Sequence, residues 1–166
     1  ADGFHLFEIS TRRERILPTG ACNDARLAPI GHVVAVHLES FELQHPSQPS
    51  PLRLWDYETG TERKSLAAAD DDSLLSWSFD GTKIYTERFA RGSGDSVDVS
   101  VWDVKSGESR SLDLPPLGGA VISVSPDGQT LVQVNFRGEM SVTDVRTQRV
   151  LASHSGFPLG QVGAMF

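Results

Sequence analysis

Three consecutive aspartates, Asp70-Asp71-Asp72, form the densest group of chemically competent side chains in this sequence. Hard divalent cations take such oxygen ligands, but a cage needs further oxygens at fixed spacing, and no calcium-loop pattern follows. The triplet reads as a solvated acidic turn. His32 and His37 fall on one apparent strand, and an odd separation points them to opposite faces, which excludes a shared metal. Asp56, Asp103 and Asp144 recur at strand ends, as carboxylates that cap a repeated turn would. Cys22 is the single cysteine, which excludes an intramolecular disulfide; it reads as a small buried or loop residue. No nucleophile elbow, His-Glu-x-x-His pair, Cys-x-x-Cys pair or phosphate-binding glycine loop is present, and Gly92-Ser93-Gly94 reads as a loop tip. The residues therefore point to no catalytic centre, no metal and no cofactor.

The elements that carry these residues repeat. Phe4-His5-Leu6-Phe7-Glu8-Ile9, Leu52-Arg53-Leu54-Trp55-Asp56-Tyr57, Val99-Ser100-Val101-Trp102-Asp103-Val104 and Met140-Ser141-Val142-Thr143-Asp144-Val145 share one pattern of alternating apolar residues ending in an acid. A polar turn follows each, at Ser10-Thr11-Arg12, Glu58-Thr59-Gly60, Lys105-Ser106-Gly107 and Arg146-Thr147-Gln148. A second motif keeps step: Ser78-Phe79-Asp80-Gly81 and Ser125-Pro126-Asp127-Gly128, with a weaker copy at Ala28-Pro29-Ile30-Gly31. Asp-Gly between two β-rich runs is hairpin chemistry, because glycine takes a positive φ freely and aspartate bonds back to the turn. Each unit thus reads as four short strands, a to d, with the Asp-Gly turn between a and b and the acid at the end of c. Trp55, Trp77 and Trp102 lie inside strands, where packing accounts for their aromatic area. Helical periodicity is absent over any useful length.

A strand, a Ser-Pro-Asp-Gly turn, a strand ending Trp-Asp and a Ser-Gly before the last strand resemble the WD-repeat β-propeller family. The resemblance covers nearly the whole chain and is strongest from Leu52 to Leu151. It implies an all-β fold of four-stranded antiparallel blades in an incomplete ring. On this registration residues 1–19 supply strands c and d of a first blade. Residues 24–66, 72–112 and 119–152 form complete blades, and residues 161–166 form the first strand of a next one. The expectation is that this is a piece of a longer chain, or that copies complete a ring together; either way self-association or missing parent sequence is expected. The family's usual Gly-His pair and b–c aspartate are lacking, with only His154 near the histidine position and Arg137-Gly138 where Asp-Gly would stand. The blades should therefore depend on packing more than on that polar network.

The net charge of −7 and the absence of a basic stripe or aromatic stacking platform argue against nucleic acid as a partner. No apolar run approaches the roughly 20 residues of a membrane span, and no signal-peptide pattern is visible at the start. Two long connections break the repeat, at residues 39–51 and 87–96, both between strands b and c. All b–c and d–a connections share one end of such blades, and long loops on one face of a repeat protein often mark a binding face. The expected function is a non-catalytic scaffold that binds a protein or peptide through this face, with Phe41, Leu43, His45, Phe89, Arg91 and Arg137 as contact residues. The alternative is a propeller segment of a larger enzyme, a hydrolase or kinase, in which it gates or positions substrate.

Overall fold

The computed structural model describes residues 3–38, 52–68, 72–89, 97–114, 117, 121–135 and 137–156. Among them are fourteen strands and no helix. The strands are β1 (Phe4–Glu8), β2 (Arg13–Leu17), β3 (Cys22–Leu27), β4 (Val33–Leu38), β5 (Leu52–Asp56), β6 (Thr61–Leu66) and β7 (Asp72–Trp77), then β8 (Lys83–Phe89), β9 (Val97–Asp103), β10 (Ser109–Leu112), β11 (Val121–Val124), β12 (Thr130–Val134), β13 (Glu139–Asp144) and β14 (Val150–Ser155). They form three four-stranded antiparallel sheets, each ordered as in the sequence, β3 to β6, β7 to β10 and β11 to β14; β1 pairs with β2 alone. This is an all-β fold of β-propeller-type blades. The chain divides into two compact units, Ala1–Asp70 and Asp71–Phe166.

Register shows why the motif repeats. Trp55 pairs with Val34, Trp102 with Ile84 and Thr143 with Leu131. The acids that follow pair with Val33, Lys83 and Thr130. The three c strands thus stand in equivalent places against their b strands. Alternation along β9 buries Val97, Val99 and Val101 and leaves Asp98 exposed, as a two-residue period requires.

Each unit has its own core. In the first, Leu17, Val34, Val36 and Trp55 are buried together, and Phe4, Leu6, Cys22, Ala25 and Tyr57 pack against them. The β1–β2 pair is held to the β3–β6 sheet through Leu17, Phe4 and Leu6. In the second, Tyr85, Val97, Val99, Val101 and Leu112 of one sheet meet Val124 and Leu131 of the next and Val145 of the turn after β13. Each large apolar side chain so buried contributes about 1.5–3 kcal/mol.

Candidate functional site

Of the acidic triplet, Asp70 and Asp71 lie outside the described residues, and Asp72 is not in a solvated turn but buried as the first residue of β7. The recurrent serines and carboxylates build turns. At the a–b turns, Ser78 Oγ donates to Asp80 Oδ1 at 2.6 Å and accepts from Lys83 N at 2.9 Å, while Thr82 N donates to the same carboxylate at 3.0 Å. Ser125, Asp127, Thr130 and Gln129 reproduce this arrangement at 2.6, 2.9 and 3.0 Å. Gly81 and Gly128 take φ of 65° and 67°. The third copy keeps the backbone bond, Ala28 N to Val33 O at 2.9 Å, with Gly31 at φ 72°, although Ala28 has no hydroxyl. The Ser78 hydroxyl and the Thr82 amide hold the Asp80 carboxyl at about 2, and the Ser125 hydroxyl likewise holds Asp127 below the usual carboxylate range.

At the c–d turns Asp56 Oδ1 accepts from Glu58 N and Thr59 N at 2.9 and 3.0 Å, and Arg63 Nε reaches Oδ2 at 3.0 Å. The Thr59 amide and the Arg63 guanidinium bring the Asp56 carboxyl to about 2. Asp103 accepts from Ser106 N at 2.7 Å, and Asp144 from Thr147 N and Oγ1 at 2.6 and 2.8 Å. Glu8 accepts from the Thr11 and Ser10 hydroxyls at 2.6 and 3.0 Å. The fourth residue after each acid has a positive φ: Arg12 56°, Gly60 70°, Gly107 81° and Gln148 57°. These carboxylates are consumed by local backbone and hydroxyl donors, the Asx-turn role that explains their period.

The histidines do not meet. His32 precedes β4, in the a–b turn, so the two histidines do not share a strand. Its Nδ1 lies 3.2 Å from Glu58 Oε1, and its ring stands edge-on to Tyr57 with centroids 5.4 Å apart. His37 is buried in β4. Among the described residues no group of three or more histidine, cysteine or carboxylate side chains could hold a metal ion.

Of the six residues expected to contact a partner, Phe41, Leu43, His45 and Arg91 lie outside the described residues, and Phe89 is placed only as the last residue of β8. Arg137 is exposed in the β12–β13 turn. Asn135 organises that turn: its Oδ1 accepts from Arg137 N at 3.0 Å and Glu139 N at 2.9 Å, and its Nδ2 donates to Glu139 Oε2 at 2.6 Å. Beside it an open cleft of about 670 Å³ is lined by Leu117, of the β10–β11 connection, and by Glu139, Met140, Ser153, His154 and Ser155. It therefore reaches the b–c end of this sheet. At the opposite end of the first unit a smaller cleft, of about 340 Å³, lies among Phe7, Leu27, Glu8, His32, Tyr57 and Glu58.

Sequence reasoning missed two sets of residues. Arg15 Nη1 donates to the Tyr57 and Glu58 carbonyls at 3.2 and 3.1 Å, and Arg110 Nη2 donates to the Val145 carbonyl at 3.3 Å. Arg15 pairs with Leu6 and Arg110 with Val101, each two residues before the acid of its own c strand, so the two arginines are equivalent. Each ties its sheet to the turn of the next. The signal was available, since each arginine stands at the same distance after its acid. The other set completes the second unit: Tyr85 Oη donates to Gly128 O at 3.1 Å, and Gln148 Oε1 accepts from Asp113 N at 3.1 Å. Trp102 Nε1 donates to Thr86 Oγ1 at 3.0 Å, whereas the buried Trp55 Nε1 has no partner because Val36 stands where Thr86 does.

A scan against protein-family models gives no match, and no curated protein matches the sequence.

Proposed function

We propose that this chain is a non-catalytic protein–protein interaction scaffold of WD-like repeats, which receives a protein or peptide partner at the end of its blades bearing the b–c and d–a connections. The observation that carries the reading is an asymmetry between the two ends of the β3–β6 and β7–β10 sheets. The a–b and c–d turns are short and closed by side-chain-to-backbone bonds around Asp56, Asp80, Asp103, Asp127 and Asp144. The connections at residues 39–51 and 90–96 leave from the other end, between β4 and β5 and between β8 and β9. Length variation confined to one end of a rigid frame is how repeat proteins carry a contact surface. The cleft beside Arg137 and Glu139 opens at that end and joins apolar Leu117 and Met140 to hydroxyls and a carboxylate, the mixture that protein interfaces use.

The test is to capture a partner from native extract and then compare substitutions at the two ends. Arg137→Ala and Leu117→Ala should weaken binding, whereas Lys105→Ala, in a c–d turn, should leave it unchanged. Equal losses at both ends, or a loss only with Lys105→Ala, would remove the reason for placing the contact surface there.

A further inference from the structure

One edge of each sheet is its d strand, and one of these strands differs from the rest. β2 carries Arg13, Glu14 and Arg15, β6 carries Glu62, Arg63 and Lys64, and the short β10 carries Arg110. Charged side chains on an exposed edge keep a second chain from adding to it. β14 reads Val-Leu-Ala-Ser-His-Ser, has no acid, lysine or arginine, and is exposed at all six positions. Val150 and Leu151 are 47% and 61% exposed. At the register where β2 and β10 hold Arg15 and Arg110, β14 holds Ala152, opposite Val142. β11, at the other edge of the same sheet, lies beside β7 and buries Val124.

We propose that β14 is a self-pairing edge, joined antiparallel to β14 of a second copy about a two-fold axis through Ala152. The occupant follows from charge and symmetry. An antiparallel pair related by a two-fold axis keeps each residue on its own face of the sheet. Side chains that meet must then be an even number of positions apart, so one residue faces its own copy. With Ala152 at the axis, Val150 faces His154 of the second copy, Leu151 faces Ser153, and no like charges meet. The same operation on β2 or β6 sets Arg15, Arg63 or Lys64 against itself, and like charges directly opposite are destabilising. The axis at Ala152, rather than at Ser153, keeps both exposed apolar residues within the paired stretch. This interface shares Ser153 and His154 with the cleft described above, but it needs no other partner, so its test on the chain alone is read independently of the function proposed above.

Sedimentation equilibrium of the protein over a wide concentration range gives the test. The unaltered chain should pass from monomer to dimer. Ala152→Lys sets a lysine against its own copy and should weaken the dimer about fivefold or more, and Ala152→Asp should do the same. An equimolar mixture of the two variants sets lysine against aspartate and should restore the dimer. Position 152 is exposed on an edge, and the restored mixture also shows that both variants are folded. A chain that stays monomeric at every concentration overturns the proposal. So does a dimer that neither substitution affects, or a mixture no more associated than its components.

Discussion

Removing the hydroxyl of Thr86 should cost far more than the size of the change suggests. Thr86 is 1% exposed and Trp102 6% exposed, and the indole Nε1 donates to Oγ1 at 3.0 Å. Thr86→Val keeps the shape of the side chain and deletes the acceptor. The indole N–H is then buried without a partner, and that desolvation costs about 1–3 kcal/mol. Valine recovers part of this, because it no longer buries a hydroxyl. The net loss should be about 1–2 kcal/mol, read as a lower urea midpoint with an unchanged slope. The β3–β6 sheet already lives with the substituted arrangement, since Trp55 Nε1 has no partner beside Val36. Trp102→Phe provides the control. It removes the donor, so adding Thr86→Val in that background should be neutral or slightly stabilising. An unchanged midpoint for Thr86→Val alone, or an equal loss in both backgrounds, would refute the hydrogen bond as the cause.

Two further outcomes follow from the turns. Gly128 has φ +67°, and a Cβ there would come within 2.5 Å of Tyr85 Oη, whereas Gly60, at φ +70°, has open space. Gly128→Ala should therefore destabilise by more than the 1 kcal/mol or so of backbone strain expected for Gly60→Ala. Tyr85→Phe should relieve the excess, and thermal melts of the single and double variants measure it. The turn carboxylates also set a pH dependence. Asp56 and Asp80 are brought from the ordinary 3.8 to about 2 by the Thr59 amide and the Ser78 hydroxyl, respectively. A depressed carboxylate contributes stability that is fully present above its unfolded value and is lost as pH falls through the folded one. Urea midpoints should hold steady down to pH 3.8 and decline between there and about 2. Asp80→Asn should lower the plateau and flatten the decline, and an equally steep decline in that variant would count against the assignment.

Local chemistry carried most of the architecture into the sequence. A strand with one buried face must alternate, and a tight turn must have both a residue tolerant of positive φ and an acceptor for its free amides. Leu52-Arg53-Leu54-Trp55-Asp56 and Ser125-Pro126-Asp127-Gly128 announce strand and turn without reference to any distant residue. The site was less legible. Of the expected contacts, only Arg137 is described with its surroundings, and it stands beside a cleft whose lining comes from a connection and two strands. What the tertiary structure decided is which donor meets which acceptor between strands and sheets. Trp55 and Trp102 occupy equivalent places, yet only the second finds a hydroxyl, because the partner is chosen by a residue on the neighbouring strand. Arg15 and Arg110 bond carbonyls 42 and 35 positions away, and Gly128 must be glycine partly because Tyr85 reaches over it. The period of a strand and the conformation of a turn are set within a few residues and can be read there. The partner of a side chain across two sheets depends on register and packing, which exist only once the sheets have met.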